Sequence, residues 1–258
     1  MADSLASQPR QLPLRLSLDD EATFANFYLP DGEAGAPGRQ VLGHLMQRLE
    51  SWGRGSQHVT PGTVLQDFTW LWGAHGAGCT HLLQAVCHAV SGNGQPAFYL
   101  SFSQASQFSP DILQGLEQMA MLCLDDVEQI IGQRDWELAL FHLYNRMCEL
   151  QTPLLIAAHN NPQHLVTALP DLASRLQSAV VFRLPLLTDE HKIAALQARA
   201  ARRGFTLGDD VAAYLLNRVD RDMPTLFGVL QDLDRLSLET GRRVTIPLLS
   251  RLLGATTD

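Results

Sequence analysis

A glycine-rich loop is the part of this sequence best suited to chemistry. Residues 73–80 read Gly-Ala-His-Gly-Ala-Gly-Cys-Thr and lie between a strand-like run and a helix-like run. Glycines in that position let backbone N–H groups surround a phosphate, and the helix start adds partial positive charge. The pattern also requires a lysine, and Cys79 stands in its place. The spacing predicts a nucleotide-binding loop that is poorly equipped for hydrolysis, and a plain strand-to-helix turn is the alternative. The predicted contacts in the loop are Gly73, Gly76, Ala77, Gly78, Cys79 and Thr80.

A pair of adjacent carboxylates is the second chemical feature. Asp125 and Asp126 end an apolar run that starts at Met121. Buried strands seldom end in two acids for packing reasons alone, because like charges repel. A Mg²⁺ ion bridging Thr80 and Asp125 would offset this repulsion. The pair therefore predicts a magnesium and nucleotide site, and an acidic turn is the alternative.

Two further polar residues follow later strand-like and helix-like runs. Asn160 follows the run 154–158 and could orient a water or a γ-phosphate, or it could simply favour a turn before Pro162. Arg175 lies near the end of a short helix that Pro170 begins. Its charge could act on a ligand or could complement the helix dipole.

The elements that must position these residues alternate between strands and helices. Strands are predicted at 68–72, 97–101, 119–124, 154–158 and 179–184, and helices at 40–52, 80–91, 111–118, 135–150 and 170–177. Strands that are apolar along their length indicate a parallel sheet with helices on both faces, an α/β fold. From Thr188 onward only helical patterns remain, so a small all-helical domain follows. We expect a tail at 1–20, an α/β domain at 21–186 and a helical domain at 187–258.

Composition narrows the class of protein. The 258 residues are 46% hydrophobic and carry a net charge of −8, so the overall field repels nucleic acid. The four cysteines have no paired spacing, which is typical of reduced thiols in a cytoplasmic protein. No run is apolar and long enough to suggest a membrane span or a signal peptide.

The amino-terminal tail carries a separate signal. Residues 11–16 read Gln-Leu-Pro-Leu-Arg-Leu, an extended proline-containing segment outside the predicted core. Such a segment can dock as a peptide, with Leu12, Leu14 and Leu16 filling pockets and Gln11 making hydrogen bonds. An edge strand folded onto its own domain is the alternative.

Taken together, these residues resemble the DnaA-related AAA+ ATPase family, in particular its regulators of replication initiation. The resemblance is carried by the loop, Asp125-Asp126, Asn160, Arg175 and by residues 23–27, 141–146, 169–175, 202–205, 220–223, 225–227 and 245–247. It implies a AAA+ α/β module followed by a helical lid, with Phe27 beside the nucleotide base. It also implies binding of the DNA-loaded DNA polymerase III sliding clamp through 11–16, and contact with ATP-bound DnaA. In this family an arginine finger, here Arg175, would promote hydrolysis of the ATP on DnaA.

The sequence departs from the family pattern at three positions. Cys79 replaces the loop lysine, Pro224 stands where the lid would offer an arginine, and Asp126 replaces the usual catalytic glutamate. We therefore expect negligible ATPase activity and ADP as the bound nucleotide. The acidic charge, and a chain that ends after the lid, favour a regulator over an initiator that reads DNA sequence. A finger used in trans implies contact with a neighbouring molecule, and self-association is expected too. An active ATPase such as a helicase loader, and an adaptor with a vestigial nucleotide site, are the rivals.

Overall fold

A five-stranded sheet is the centre of the larger domain. The computed structural model describes residues 18–52 and 68–255. The strands are β1 (Phe68–Trp72), β2 (Ala97–Ser101), β3 (Met121–Asp125), β4 (Leu154–Ala158) and β5 (Val180–Arg183). They pair in parallel in the order β2-β3-β4-β1-β5. The predicted α/β fold is confirmed.

Alternate residues of the central strands build two separate cores. Phe68, Trp70 and Leu124 point into one core, whereas Leu71 and Cys123 point into the other. This follows from the two-residue period of a strand, which sends successive side chains to opposite faces. Because both faces are covered, the strands are apolar along their length. The arrangement fixes the carboxyl ends of β1, β3 and β4 at one edge of the sheet.

Helices cover both faces of the sheet. They are α1 (Ala36–Trp52), α2 (Cys79–Gly92), α3 (Arg134–Leu150) and α4 (Pro170–Gln177). The helices α1 and α2 contribute to the core that contains Leu71, and α3 and α4 to the core that contains Trp70. Helix α1 begins four residues before its predicted start at Gln40, because Pro37 fits the first turn of a helix. The apolar residues of α3 recur at helical spacing and are buried in the core that contains Trp70; they are Trp136, Leu140, Leu143, Tyr144 and Met147.

The helix predicted at 111–118 is wrong. The chain forms two short 3₁₀ helices there, Pro110–Leu113 and Leu116–Gln118. Gly115 separates them with a φ of 82°, a left-handed conformation that no continuous right-handed helix contains. The apolar spacing of this segment therefore reflects burial of Leu113 and Leu116 in a core to which α3 also contributes, rather than a helix.

Four helices form the carboxyl-terminal domain around a core of their own. They are α5 (Asp189–Arg202), α6 (Asp209–Leu216), α7 (Met223–Thr240) and α8 (Ile246–Ala255). The Thr188 side chain caps α5 by accepting a hydrogen bond from the His191 N–H at 3.3 Å. We call this domain the lid. Within the described parts of the chain, no helix is both long and apolar enough to cross a membrane.

Candidate functional site

The glycine loop has the geometry that its sequence predicts. It leaves β1 at Gly73 and enters α2 at Cys79. Gly76 and Gly78 have φ values of 82° and 99°, and Gly78 precedes the first turn of α2 without a side-chain cap. The N–H groups of that first turn therefore have no competing side-chain acceptor from the cap. A loop and helix start of this kind can hold an anionic phosphate.

Three neighbours enclose the glycines of the loop so closely that larger residues would not fit. A Cβ atom on Gly78 would lie 2.8 Å from Cε2 of Phe27. A Cβ on Gly73 would lie 2.5 Å from the carbonyl oxygen of Leu184. On the lid side, a Cβ on Gly76 would lie 3.2 Å from the backbone nitrogen of Met223. The loop is thus held between the segment 18–30 and the start of α7.

A cavity of about 500 Å³ lies between the loop, the segment 18–30 and the lid. This volume is in the range of small-molecule sites, which are about 300–1,000 Å³. The predicted nucleotide contacts that line it are Phe27, Gly73, Gly76, Ala77, Gly78, Cys79, Thr80, Asp125 and Asp126. The structure therefore brings together Phe27 of the segment 18–30, the glycine loop and the carboxyl end of β3.

Asn160 does not belong to this lining. Its neighbour His159 does, at the carboxyl end of β4. The Asn160 carbonyl instead accepts a hydrogen bond from Trp70 Nε1 at 3.1 Å. Sequence spacing cannot decide which of two adjacent polar residues after a strand faces a cavity, because the backbone conformation of the turn determines which of the two does so.

Asp125 is a buried acid with its oxygens already engaged. Tyr99 donates its hydroxyl to Oδ2 at 2.9 Å, and the Asp126 N–H donates to Oδ1 at 3.0 Å. Burial, followed by the nearby charge of Asp126, raises the pKa of Asp125 to about 6, although hydrogen bonds from Thr80 and Tyr99 act in the opposite direction. Thr80 and Asp125, the two residues predicted to hold Mg²⁺, are therefore in contact, and both offer oxygen ligands of the kind that Mg²⁺ prefers.

Positive charge is scarce where a lysine would normally lie. Burial, and then the charge of Asp125, raise the pKa of the Cys79 thiol to about 12, so this side chain is neutral. The sequence contains a single lysine, Lys192, which pairs with Asp189 in the lid. Among the described residues that line the cavity, Arg199 is the one arginine. The site fits a nucleotide in shape, and its phosphate end lacks the usual cation.

Arg199 serves a different part of the cavity. Its guanidinium forms an ion pair with Glu21 and lies 4.2 Å from the ring centroid of Phe227. Arg203 also pairs with Glu21, and Arg202 donates to Asn26 Oδ1 at 2.8 Å. These contacts attach the segment 18–30 to α5 of the lid. No local sequence pattern indicates these contacts, because the partners are far apart in the chain.

The same segment is attached to the α/β domain. His81 Nε2 donates to the Thr23 carbonyl at 2.8 Å, and the Asp19 N–H donates to Gln84 Oε1 at 2.9 Å. Burial is the main cause that lowers the pKa of His81, so the imidazole is neutral at neutral pH. One wall of the cavity therefore bridges both domains.

Pro224 also lines the cavity, in the first turn of α7. Asp222 caps this helix by accepting a hydrogen bond from the Thr225 N–H at 2.9 Å. Proline is well suited to that first turn because it needs no hydrogen-bond donor there. It offers no cation to the cavity.

Arg175 lies outside the cavity. It is an exposed residue of α4, and its guanidinium carbon is 5.7 Å from the ring centroid of Tyr144. The start of α4 is held by Glu137, a fully buried acid of α3. Glu137 accepts hydrogen bonds from the N–H groups of Leu169 (2.8 Å), Ala168 (3.0 Å) and Gly132 (2.6 Å). Arg175 is thus exposed on a helix whose start is held in place by the hydrogen bonds to Glu137. The four docking residues predicted in the tail, Gln11, Leu12, Leu14 and Leu16, lie outside the described residues.

Solved structures with the same fold include DnaA proteins and a DNA motor. Domain III of the Thermotoga maritima replication initiation protein DnaA has a TM-score of 0.68 and 21% identity, and the match covers 93% of this chain and 98% of that one. AMPPCP-bound DnaA from Aquifex aeolicus has a TM-score of 0.64 and 21% identity, with 85% and 67% covered. The Thermotoga maritima RuvB Holliday junction branch migration motor has a TM-score of 0.59 and 14% identity, with 84% and 68% covered. At these identities the likeness concerns the fold.

A parallel sheet, a phosphate-binding loop after β1 and a helical lid over the loop define a AAA+ module. Two family matches make the assignment narrower. Residues 60–183 match the bacterial DnaA ATPase domain, and residues 189–253 match the Hda lid domain. The chain therefore belongs to the DnaA-related AAA+ family as an Hda-type protein.

Proposed function

We propose that this protein is a negative regulator of replication initiation that promotes hydrolysis of the ATP bound to DnaA. The arginine finger Arg175 would act on DnaA, and the DNA-loaded sliding clamp would hold the protein through Gln11–Leu16. The observation that carries the proposal is the position of Arg175. It is exposed on α4 and absent from the lining of the protein's own cavity, so a phosphate that it reaches would belong to another molecule.

The chemistry asked of Arg175 is electrostatic. Hydrolysis forms a bond between water oxygen and the γ-phosphorus and breaks the bond to the β-phosphate oxygen. Negative charge spreads over the γ-phosphoryl oxygens in the transition state. A guanidinium in trans stabilises this charge with several N–H donors, and such a finger can accelerate hydrolysis by about 10³–10⁵-fold. Tyr144 lies beneath the guanidinium and Glu137 fixes the start of the helix, which supports a preorganised finger.

The cavity of this protein would bind a nucleotide without turning it over. Its glycine loop would hold the phosphates, and Phe27 would border the base. ADP is the expected ligand because it carries less charge than ATP and the phosphate end has no lysine. Mg²⁺, if bound, would be held at Thr80 and Asp125.

Three features support negligible ATPase activity of the protein itself. Cys79 is neutral, Pro224 provides no cation from the lid, and Asp126 accepts a hydrogen bond from Ser101 Oγ at 2.7 Å. The contributions of a loop lysine and a lid arginine to transition-state charge are therefore missing together.

The decisive experiment measures hydrolysis of ATP on DnaA in the presence of DNA-loaded clamp. Arg175→Ala should reduce stimulation at least a hundredfold while clamp binding stays unchanged. Arg175→Lys should recover little, because an ammonium lacks the planar fork of donors. Arg251→Ala removes another exposed arginine, on α8, and serves as the matched control. Full stimulation by Arg175→Ala would refute the assigned role.

Clamp binding can be tested separately. Replacing Gln11 and Leu14 together with alanine should weaken binding to the isolated clamp and should leave folding unchanged, as judged by the melting temperature. Clamp affinity equal to that of the wild type would contradict the peptide assignment while leaving the role of Arg175 open to its own assay.

An active ATPase, such as a helicase loader, is the alternative, favoured by a cavity that the glycine loop, Thr80 and Asp125 line together. It predicts ATP turnover by the isolated protein, and loss of that turnover in Asp125→Ala. Absence of turnover in the wild type, measured with nucleotide-stripped protein, would exclude the active ATPase.

A further inference from the structure

Three metal-ligating side chains meet at the edge of the cavity. Asp126 and Glu128 follow β3, and His159 follows β4. One ligand atom from each lies within 4.8 Å of the ligand atoms of the other two. The strands are neighbours in the sheet, with Leu124 paired to Ile156, so their ends must lie side by side. Glu128 and His159 have no part in the function proposed above.

The contacts within this cluster leave acceptor capacity that a cation would use. Nδ1 of His159 contacts Oε1 of Glu128. The second oxygen of Glu128, Oε2, is buried and has no hydrogen-bond partner. Ser101 occupies Oδ2 of Asp126, so Oδ1 is the oxygen that remains for an ion. A buried acceptor without a partner costs free energy, and a bound cation would remove that cost.

We propose that Asp126, Glu128 and His159 bind a divalent transition-metal ion of the Zn²⁺ type. One imidazole nitrogen with two carboxylates suits zinc better than Mg²⁺, which is held by oxygen ligands. Zinc lies about 2.0–2.2 Å from such atoms, so its ligands are roughly 3–4 Å apart, which small side-chain rotations here would achieve. The ion would replace the proton between Nδ1 of His159 and Oε1 of Glu128.

The position of the cluster gives the ion an open side. Asp126 and His159 line the cavity, so the fourth coordination position would face the phosphate end of the glycine loop. The ion would add positive charge at the end of the cavity where Cys79 is neutral. This consequence rests on the proposed nucleotide binding, whereas the metal site does not. Its three ligands differ from Thr80 and Asp125, the residues that would hold Mg²⁺.

Calorimetric titration of the full-length, nucleotide-free protein with Zn²⁺ tests the proposal. We expect about one tightly bound ion per chain. His159→Asn and Glu128→Gln should each weaken this binding at least tenfold. His142→Asn removes an exposed histidine of α3, outside the cavity lining, and should leave the affinity unchanged. Co²⁺ serves as a second probe, because loss of the imidazole ligand should change its visible absorption.

Two results would overturn the site. One is the absence of stoichiometric Zn²⁺ binding by the wild type, in which case the cluster is only an ion pair. The other is equal affinity in the wild type, His159→Asn and Glu128→Gln, because the ion would then lie elsewhere. Melting temperatures confirm that each variant is folded. The titration contains neither DnaA nor nucleotide. A negative titration would therefore leave the proposed regulation of DnaA intact, and a negative result in the DnaA hydrolysis assay would leave the metal site intact.

Discussion

Restoring the missing lysine should convert the cavity into a tight nucleotide site. Cys79 is the first residue of α2 and lines the cavity, so a lysine there can reach the outer phosphates from the loop. Asp125 is near enough to raise the pKa of the thiol, and it would stabilise the ammonium before nucleotide binds. A charge-assisted hydrogen bond contributes about 1.5–3 kcal/mol, so Cys79→Lys should lower the Kd for ADP by roughly 10- to 150-fold.

The assay is calorimetric titration of nucleotide-stripped protein with ADP at two salt concentrations. Gln163→Lys adds the same charge at an exposed position outside the cavity lining, and it should change the Kd less than about twofold. ATP turnover should stay negligible in Cys79→Lys, because Pro224 still provides no cation. A folded Cys79→Lys protein with wild-type affinity for ADP would refute the argument that the missing lysine limits binding.

The remaining predictions concern stability and pH, and urea unfolding measures all of them. Gly78→Ala should lower the free energy of unfolding by about 1–2 kcal/mol or more, because the φ of Gly78 is 99° and the new Cβ would lie 2.8 Å from Phe27. Gly92→Ala, with open space around it, should not lower the free energy of unfolding. Glu137→Ala should cost roughly 3–5 kcal/mol because it leaves three N–H groups without their acceptor, against almost no cost for the exposed Glu149→Ala on the same helix. The pKa of Asp125 is about 6 in the folded protein, compared with the ordinary value of 3.8 in the unfolded chain. Between these values the native state retains a proton that the unfolded chain releases, so the free energy of unfolding of the wild type should fall by up to about 3 kcal/mol from pH 4 to pH 7. Asp125→Asn should lack this loss, and parallel pH profiles for the two proteins would contradict the raised pKa.

Much of the fold could be predicted because it is encoded in local patterns. All five strands form at nearly the predicted positions. The signal is strongest for the central strands β1, β3 and β4, which are apolar because they are buried on both faces of the sheet. The helix predicted at 111–118 does not form, because the local apolar pattern does not reveal the backbone conformation. Its apolar residues are buried, but Gly115 adopts a left-handed φ, and spacing alone does not distinguish that from a helix.

The sequence by itself determined which residues are available at the site. Residue type alone gives the glycines of the loop, the neutral Cys79, the acids after β3 and Pro224, and the chemical groups that each offers follow from that type. It also located Arg175 near the end of a short helix.

Only the tertiary structure decided which of these residues meet and which face outward. It placed His159 rather than Asn160 in the cavity lining, and Arg175 outside it. It joined Glu128 to His159 across two neighbouring strands, and buried Asp125 deeply enough to raise its pKa. The physical reason is that burial, solvation and contacts between distant residues depend on how the sheet, the segment 18–30 and the lid pack, whereas residue type and spacing are properties of the chain alone.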